Sequence, residues 1–174
     1  MVTSSPPPGI PAEGFYSEIR EGQEAADLTS IAADLEQVVA AAKVLIDQTE
    51  DESFEPLRLA LLDSVVIRYR RCFTTGIRMA LKRSNVLKVA PEYELIHSFF
   101  YDLGNKHIAH SVSALEQAAA IVHLDTRTPT HPQLMAIAIM HLQGNVANSN
   151  VERLGELAQL LIERHVRPEI ERLS

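Results

Sequence analysis

The sequence predicts a mainly α-helical protein built from packed amphipathic helices, and three observations carry that expectation. Apolar residues fill 46% of the 174 positions, yet aromatic residues make up only 5% and Trp is absent. The core is therefore aliphatic, which suits helix packing better than a large β-sandwich built on aromatic and β-branched side chains. Apolar residues recur at three- and four-residue steps over long stretches, the period of a helix buried along one face. Prolines stand at the borders of these stretches, at Pro56, Pro91 and Pro168.

Residues 1–14 are rich in Pro and carry no apolar period, so they are expected to be a disordered leader to a single domain over 15–174. A long helix follows over Glu24–Gln48, where Leu28, Ile31, Leu35, Val38, Val39, Ala42 and Leu45 or Ile46 recur at three- and four-residue steps. Asp27, Asp34, Lys43 and Asp47 fall between them. After the polar break Asp51-Glu52-Ser53, Pro56 suits the first turn of a second helix bearing Leu57, Leu61, Leu62, Val65, Val66, Tyr69 and Phe73. It weakens at Thr74-Thr75-Gly76. Pro91 opens a further helix through Leu95, Ile96, Phe99, Phe100, Leu103, His107 and His110, because the first helical N–H has no intrahelical partner to lose.

Ala118–Thr126 and Leu134–Leu142 are short apolar runs on either side of Thr128-Pro129-Thr130-His131-Pro132. Their Ala-rich composition speaks for helix, but strand-length runs about a proline-punctuated loop favour a small β-hairpin over about 118–142. In the last helix, Ser149 and Glu152 have the spacing of a capping box, and Val151, Leu154, Leu157, Ala158, Leu161 and Ile162 form its apolar face. Pro168 should kink or end it.

Several function classes are disfavoured. Cys72 is the single cysteine, so there is no disulfide framework or Cys-rich zinc site, and it reads as a small buried hydrophobe. The amino terminus lacks a basic flank before an apolar run, and no stretch approaches the ~20 apolar residues that span a bilayer. A cytoplasmic protein without a membrane partner is the expectation. No Gly-rich phosphate loop or Ser-His-Asp arrangement stands out, and no cofactor is expected. His107 and His110 lie about 60° apart on a helix, but a third metal ligand would have to come from Asp102, His97, His123 or His141. His97 points elsewhere, and no metal site is expected.

Charge is uneven. The chain carries a formal net charge of −7, yet seven basic residues and no acid lie between Ser64 and Pro91. Arg70, Arg71, Arg78, Lys82 and Arg83 of this stretch are candidate nucleic-acid contacts, because cations displace the counterions condensed on phosphates. The same stretch could instead meet an acidic face of this chain, such as the first long helix with Asp27, Asp34, Glu36 and Asp47.

One segment is more specific. Tyr101–Ser111 reads Tyr-Asp-Leu-Gly-Asn-Lys-His-Ile-Ala-His-Ser. It resembles the motif helix of the HEPN superfamily, in particular the phage abortive-infection type, with the match carried by Asn105, Lys106, His107, Ile108, Ala109 and His110. The resemblance implies an antiparallel α-helical bundle that forms homodimers, metal-independent endoribonuclease chemistry, and a setting in defence or toxin–antitoxin systems beside an antitoxin or nucleotidyltransferase partner. It implies that His110 and Asn105 belong to the site. The residue types suit the reaction: His is a base near neutrality for a ribose 2′-OH, and Arg is a permanent planar donor for a phosphate gaining charge.

The decisive departure is Gly104, which stands where the family has its arginine. Three readings follow: a silent site on a retained fold, replacement by Lys106, or an arginine of the basic stretch entering from elsewhere. Lys106 lies four residues before His110, about 40° away on a helix. Losing such an electrostatic clamp typically costs about 10²–10³ in rate. The rival to an RNA-engaging protein is a non-catalytic helical dimer that serves as a protein-interaction module.

Overall fold

A computed structural model of the chain describes residues 12–47, 55–76, 78–109, 116–125, 133–143 and 146–173. The helix predicted over Glu24–Gln48 runs from Ala12 to Asp47 and is named α1. Ala12–Gly14 thus belong to α1 rather than to the leader, whose remaining residues lie outside those described. The second helix, α2, spans Glu55–Cys72, with Pro56 in its first turn. A short helix that the apolar pattern did not announce, α3, covers Arg83–Val89. A 3₁₀ turn at Pro91–Tyr93 leads into α4, Glu94–Ala109, and α5 covers Asn148–Leu161. A π turn at Ile162–Val166 then joins α5 to α6, Arg167–Leu173.

Between α4 and α5, β1 (Glu116–Asp125) and β2 (Gln133–Gln143) pair antiparallel, from Glu116 opposite Gln143 to Asp125 opposite Gln133. The register shifts between His123 and Leu124. The loop of the expected hairpin, 126–132, lies outside the described residues.

The helices form a bundle around one core, mostly aliphatic but with Tyr69 and Phe100 fully buried in it. α1 packs on α2, α5 and α6, while α4 packs on α2 and α5. Leu28, Ile31, Leu35, Val38, Ala42 and Leu45 of α1 are all buried, at the spacing that the sequence predicts. Facing them are Val65, Val66 and Tyr69 of α2 and Leu154, Leu157 and Leu161 of α5. A Cβ at Gly155 would lie 3.3 Å from Ala42 Cβ, so small residues let α1 and α5 approach closely.

Polar contacts set the connections. Arg78 donates to Ser30 Oγ at 2.7 Å and to Asp34 Oδ2 at 2.9 Å, and the Met79 amide donates to Asp27 Oδ2 at 2.7 Å. One polar stripe of α1 therefore docks the segment that follows α2. Asn85 Oδ1 accepts from the Lys82 amide at 2.6 Å and so satisfies the start of α3. Buried Arg58 donates to the Val146 carbonyl at 3.3 Å and ties α2 to the approach of α5.

The predicted capping box does not form. Helix α5 begins at Asn148 after Ala147, without a side-chain cap, and Ser149 and Glu152 lie within its first turns. Burial of Val146 and the Arg58 contact fix how the chain enters this helix. Pro168 bends the chain's hydrogen bonding without ending the helix. The Arg167 amide reaches the Ile162 carbonyl five residues back, so one extra residue is absorbed just before the proline.

Candidate functional site

The resembling segment occupies the C-terminal half of α4. Tyr101 to Ala109 are helical, whereas His110 and Ser111 lie outside the described residues. Lys106 is in the helix by its backbone, and its side chain is not among those described. Gly104 is buried and Asn105 half-buried, and α2 supplies their neighbour.

That neighbour is Arg70. A Cβ on Gly104 would lie 2.7 Å from Arg70 Cδ and 2.9 Å from Arg70 Cβ, so the stem of Arg70 lies across the space a side chain at 104 would need. Arg70 Nε donates to Asn105 Oδ1 at 2.7 Å. Arg70 makes no ion pair among the described residues, which leaves its guanidinium charge without a carboxylate there.

Its sequence neighbours behave differently, because each step along α2 turns the side chain by about 100°. Arg68 and Arg71 share the side facing α1 and meet Asp34 at 3.2 and 3.7 Å, where Arg78 completes a three-arginine cluster at 2.9 Å. Asp34 is only 5% exposed. Arg83 pairs with Glu94, and Lys82 makes no ion pair among the described residues. Of the candidate nucleic-acid contacts, then, Arg71, Arg78 and Arg83 have carboxylate partners within the chain, while Arg70 and Lys82 have none described.

A second feature adjoins the motif helix. Tyr69 on α2 and Phe73 just past its end, and His97 and Tyr101 on α4, are two i, i+4 pairs that face each other. Ring centroids are 4.5 Å apart for Phe73 and His97 and 5.8 Å for His97 and Tyr101. Tyr69 Oη and His97 Nδ1 are hydrogen-bonded at 2.9 Å. Burial, and then the charge of Arg83, lower the His97 pKa from its ordinary value, and burial raises that of Tyr69, so both rings are neutral near pH 7. Phe73, His97 and Tyr101 line a cleft of ≈ 440 Å³ together with Lys82, Arg83, Ser98 and Asp102. Sequence reasoning passed over this cleft, although the two aromatic pairs at four-residue spacing were visible in the chain.

Cys72 is buried, with its thiol pushed up to about 12, chiefly by burial and then by Asp34. It is a protonated core group, not a nucleophile. Among the described residues no group of three or more His, Cys, Asp or Glu converges as a metal site would require, and no helix is long and apolar enough to cross a membrane.

No protein-family model, curated protein or solved structure matches this chain. The site must be read from its own residues.

Proposed function

We propose that this chain is a HEPN-like, RNA-engaging protein of a defence or toxin–antitoxin type system, acting as a cytoplasmic homodimer with weak metal-independent endoribonuclease activity. The motif from Asn105 to His110 suggests the reaction. The observation that carries the reading further is the contact of Arg70 with Asn105 across Gly104. It supports an arginine supplied from α2 in place of the one absent from α4. Asn105 holds Nε and leaves the Nη groups of Arg70 for a phosphate.

In this reading His110 takes the 2′-OH proton, the 2′-oxygen attacks phosphorus, and the 5′-oxygen leaves with a proton, giving a cyclic phosphate. Arg70 stabilises the charge gathering on the phosphate oxygens, with Lys106 as a second cation. Purified protein incubated with mixed RNA in EDTA should yield slow cleavage with cyclic phosphate ends. His110→Ala should abolish it, and Arg70→Ala should lower it by about 10²–10³. A Gly104→Arg change alone is a poor test, because Arg70 fills that space. The informative variant is Gly104→Arg with Arg70→Gly. If neither that variant nor the parent cleaves RNA, the nuclease reading falls.

A second reading, a non-catalytic helical dimer that docks a protein partner such as an antitoxin or nucleotidyltransferase, is favoured by a different observation. Asp34 pairs with Arg68, Arg71 and Arg78, and Glu94 with Arg83, so these four arginines are engaged within the chain, although the single Asp34 charge leaves its cluster net positive. A salt titration separates the two. RNA affinity that falls steeply with salt supports RNA engagement, and absent or salt-independent binding supports the interaction module.

A further inference from the structure

We propose that the cleft that Phe73, Leu81, Lys82 and Arg83 form with α4 is a nucleotide subsite. The base would stack on Tyr101 beside the Phe73–His97 floor, and the phosphate would meet Lys82 and Arg83. Three features of the cleft converge on that ligand class. Its lining combines aromatic rings with cations, the pairing that suits a planar base joined to an anion. Phe73 and His97 are buried, but Tyr101 is only half-buried, so its ring is the one with surface left for a ligand.

Charge within the cleft is also graded. Lys82 carries no described ion-pair partner and Arg83 is shared with Glu94, while Asp102 lies on α4 one residue beyond Tyr101. A phosphate is therefore drawn to the Lys82–Arg83 end and repelled from Asp102. The Asp102 carboxylate can accept from a base amino group or a ribose hydroxyl. In the tautomer whose Nδ1 accepts from Tyr69, neutral His97 carries its proton on Nε2 and can donate. A volume of ≈ 440 Å³ is that of a small-molecule site rather than of a whole RNA fold.

The nucleotide could be free or could be one unit of a strand. In the second case the cleft deepens the RNA reading above, because Ser98, Tyr101 and Asp102 lie on the helix that continues into Asn105. The cleft would then seat a base neighbouring the reacting phosphate. The free-nucleotide case is independent of that reading.

Calorimetric titration of the full chain at low salt, with each of the common nucleoside 5′-monophosphates, with inorganic phosphate and with a short single-stranded RNA, tests the proposal. Tyr101→Leu and Lys82→Glu should each weaken nucleotide or RNA binding about tenfold or more, and Tyr101→Phe should retain it. Inorganic phosphate alone should bind much more weakly. Lys82→Glu lies at the surface and keeps the test valid if Tyr101→Leu disturbs folding. Monophosphate binding lost in both variants, with no RNA binding, upholds the cleft and removes the RNA reading. RNA binding that depends on both residues, without monophosphate binding, assigns the cleft to a strand. RNA binding unchanged in both variants overturns the cleft and leaves the RNA reading standing. Binding of neither ligand overturns both.

Discussion

Glycine at position 104 has a packing reason as well as a chemical consequence. A glycine inside a helix normally costs about 1 kcal/mol relative to Ala, so Gly104→Ala would be expected to stabilise an exposed helix. Here the new Cβ would meet Arg70 Cδ at 2.7 Å and Arg70 Cβ at 2.9 Å. The second contact involves an atom fixed to the α2 backbone, which cannot swing aside. The clash should outweigh the propensity gain, and Gly104→Ala is expected to destabilise the protein by about 1–3 kcal/mol, the usual range for overpacking. Chemical denaturation measures this. In an Arg70→Gly background the same change should become neutral or stabilising. If Gly104→Ala stabilises the otherwise unaltered chain, the close approach of α2 and α4 is wrong.

At the scale of elements, the seam between α2 and α4 is where a titratable group is buried. His97 is 5% exposed and held by Tyr69, with its pKa lowered chiefly by burial. The unfolded chain therefore binds the proton more readily than the folded one. The stability tied to a neutral His97 is complete above the ordinary value of 6.5 and is lost as pH falls below it toward the folded-state value. Half-buried His165, bonded to Asn85 at 2.9 Å, acts in the same direction. Thermal melting between about pH 7.5 and 5.5 should show falling stability on acidification. His97→Gln should flatten that slope, leaving the part due to His165. A slope unchanged by the substitution would remove His97 as its source. The same scale explains the ends of α5: the chain's entry is held by a buried valine and Arg58, and its continuation through Pro168 by a π turn.

For the whole molecule, the decisive polar feature is Asp34. One buried carboxylate on α1 joins two arginines of α2 to a third in the following segment, so three parts of the chain meet at one charge. Breaking a buried pair by removing one partner generally costs about 3–5 kcal/mol, and Asp34→Ala should fall near 3 because the arginine heads partly reach solvent. The loss should appear in equilibrium unfolding, with a smaller effect for Glu36→Ala, whose bridge to Arg167 at 3.3 Å is exposed on both sides. Equal effects from the two substitutions would deny Asp34 a central role. Asp34→Ala would also release Arg68, Arg71 and Arg78, so any gain in RNA affinity measures how far this cluster suppresses the basic stretch.

The helical character of the chain was legible in one dimension. Three- and four-residue spacing in α1, α2, α4 and α5 marked most of the residues that are buried, because a helix with one apolar stripe has only one face to hide, but Leu57, Leu95 and Phe99 of the same patterns are exposed. Helix α3 was missed because seven residues with a single buried side chain, Val86, carry almost no period. The motif segment announced Gly104 and Asn105, and local sequence could go no further. Which arginine faces Gly104, and which meet Asp34, depends on how α1, α2 and α4 are rotated against one another. That rotation is set by the packing of the shared core, and it brings together residues more than thirty positions apart: Asp34 with Arg68, and Arg70 with Asn105. Residue types and helical period came from the sequence alone. The pairing of charges, and the cleft lined by Phe73, His97 and Tyr101, came from tertiary structure, because only packed helices give distant side chains a common neighbourhood.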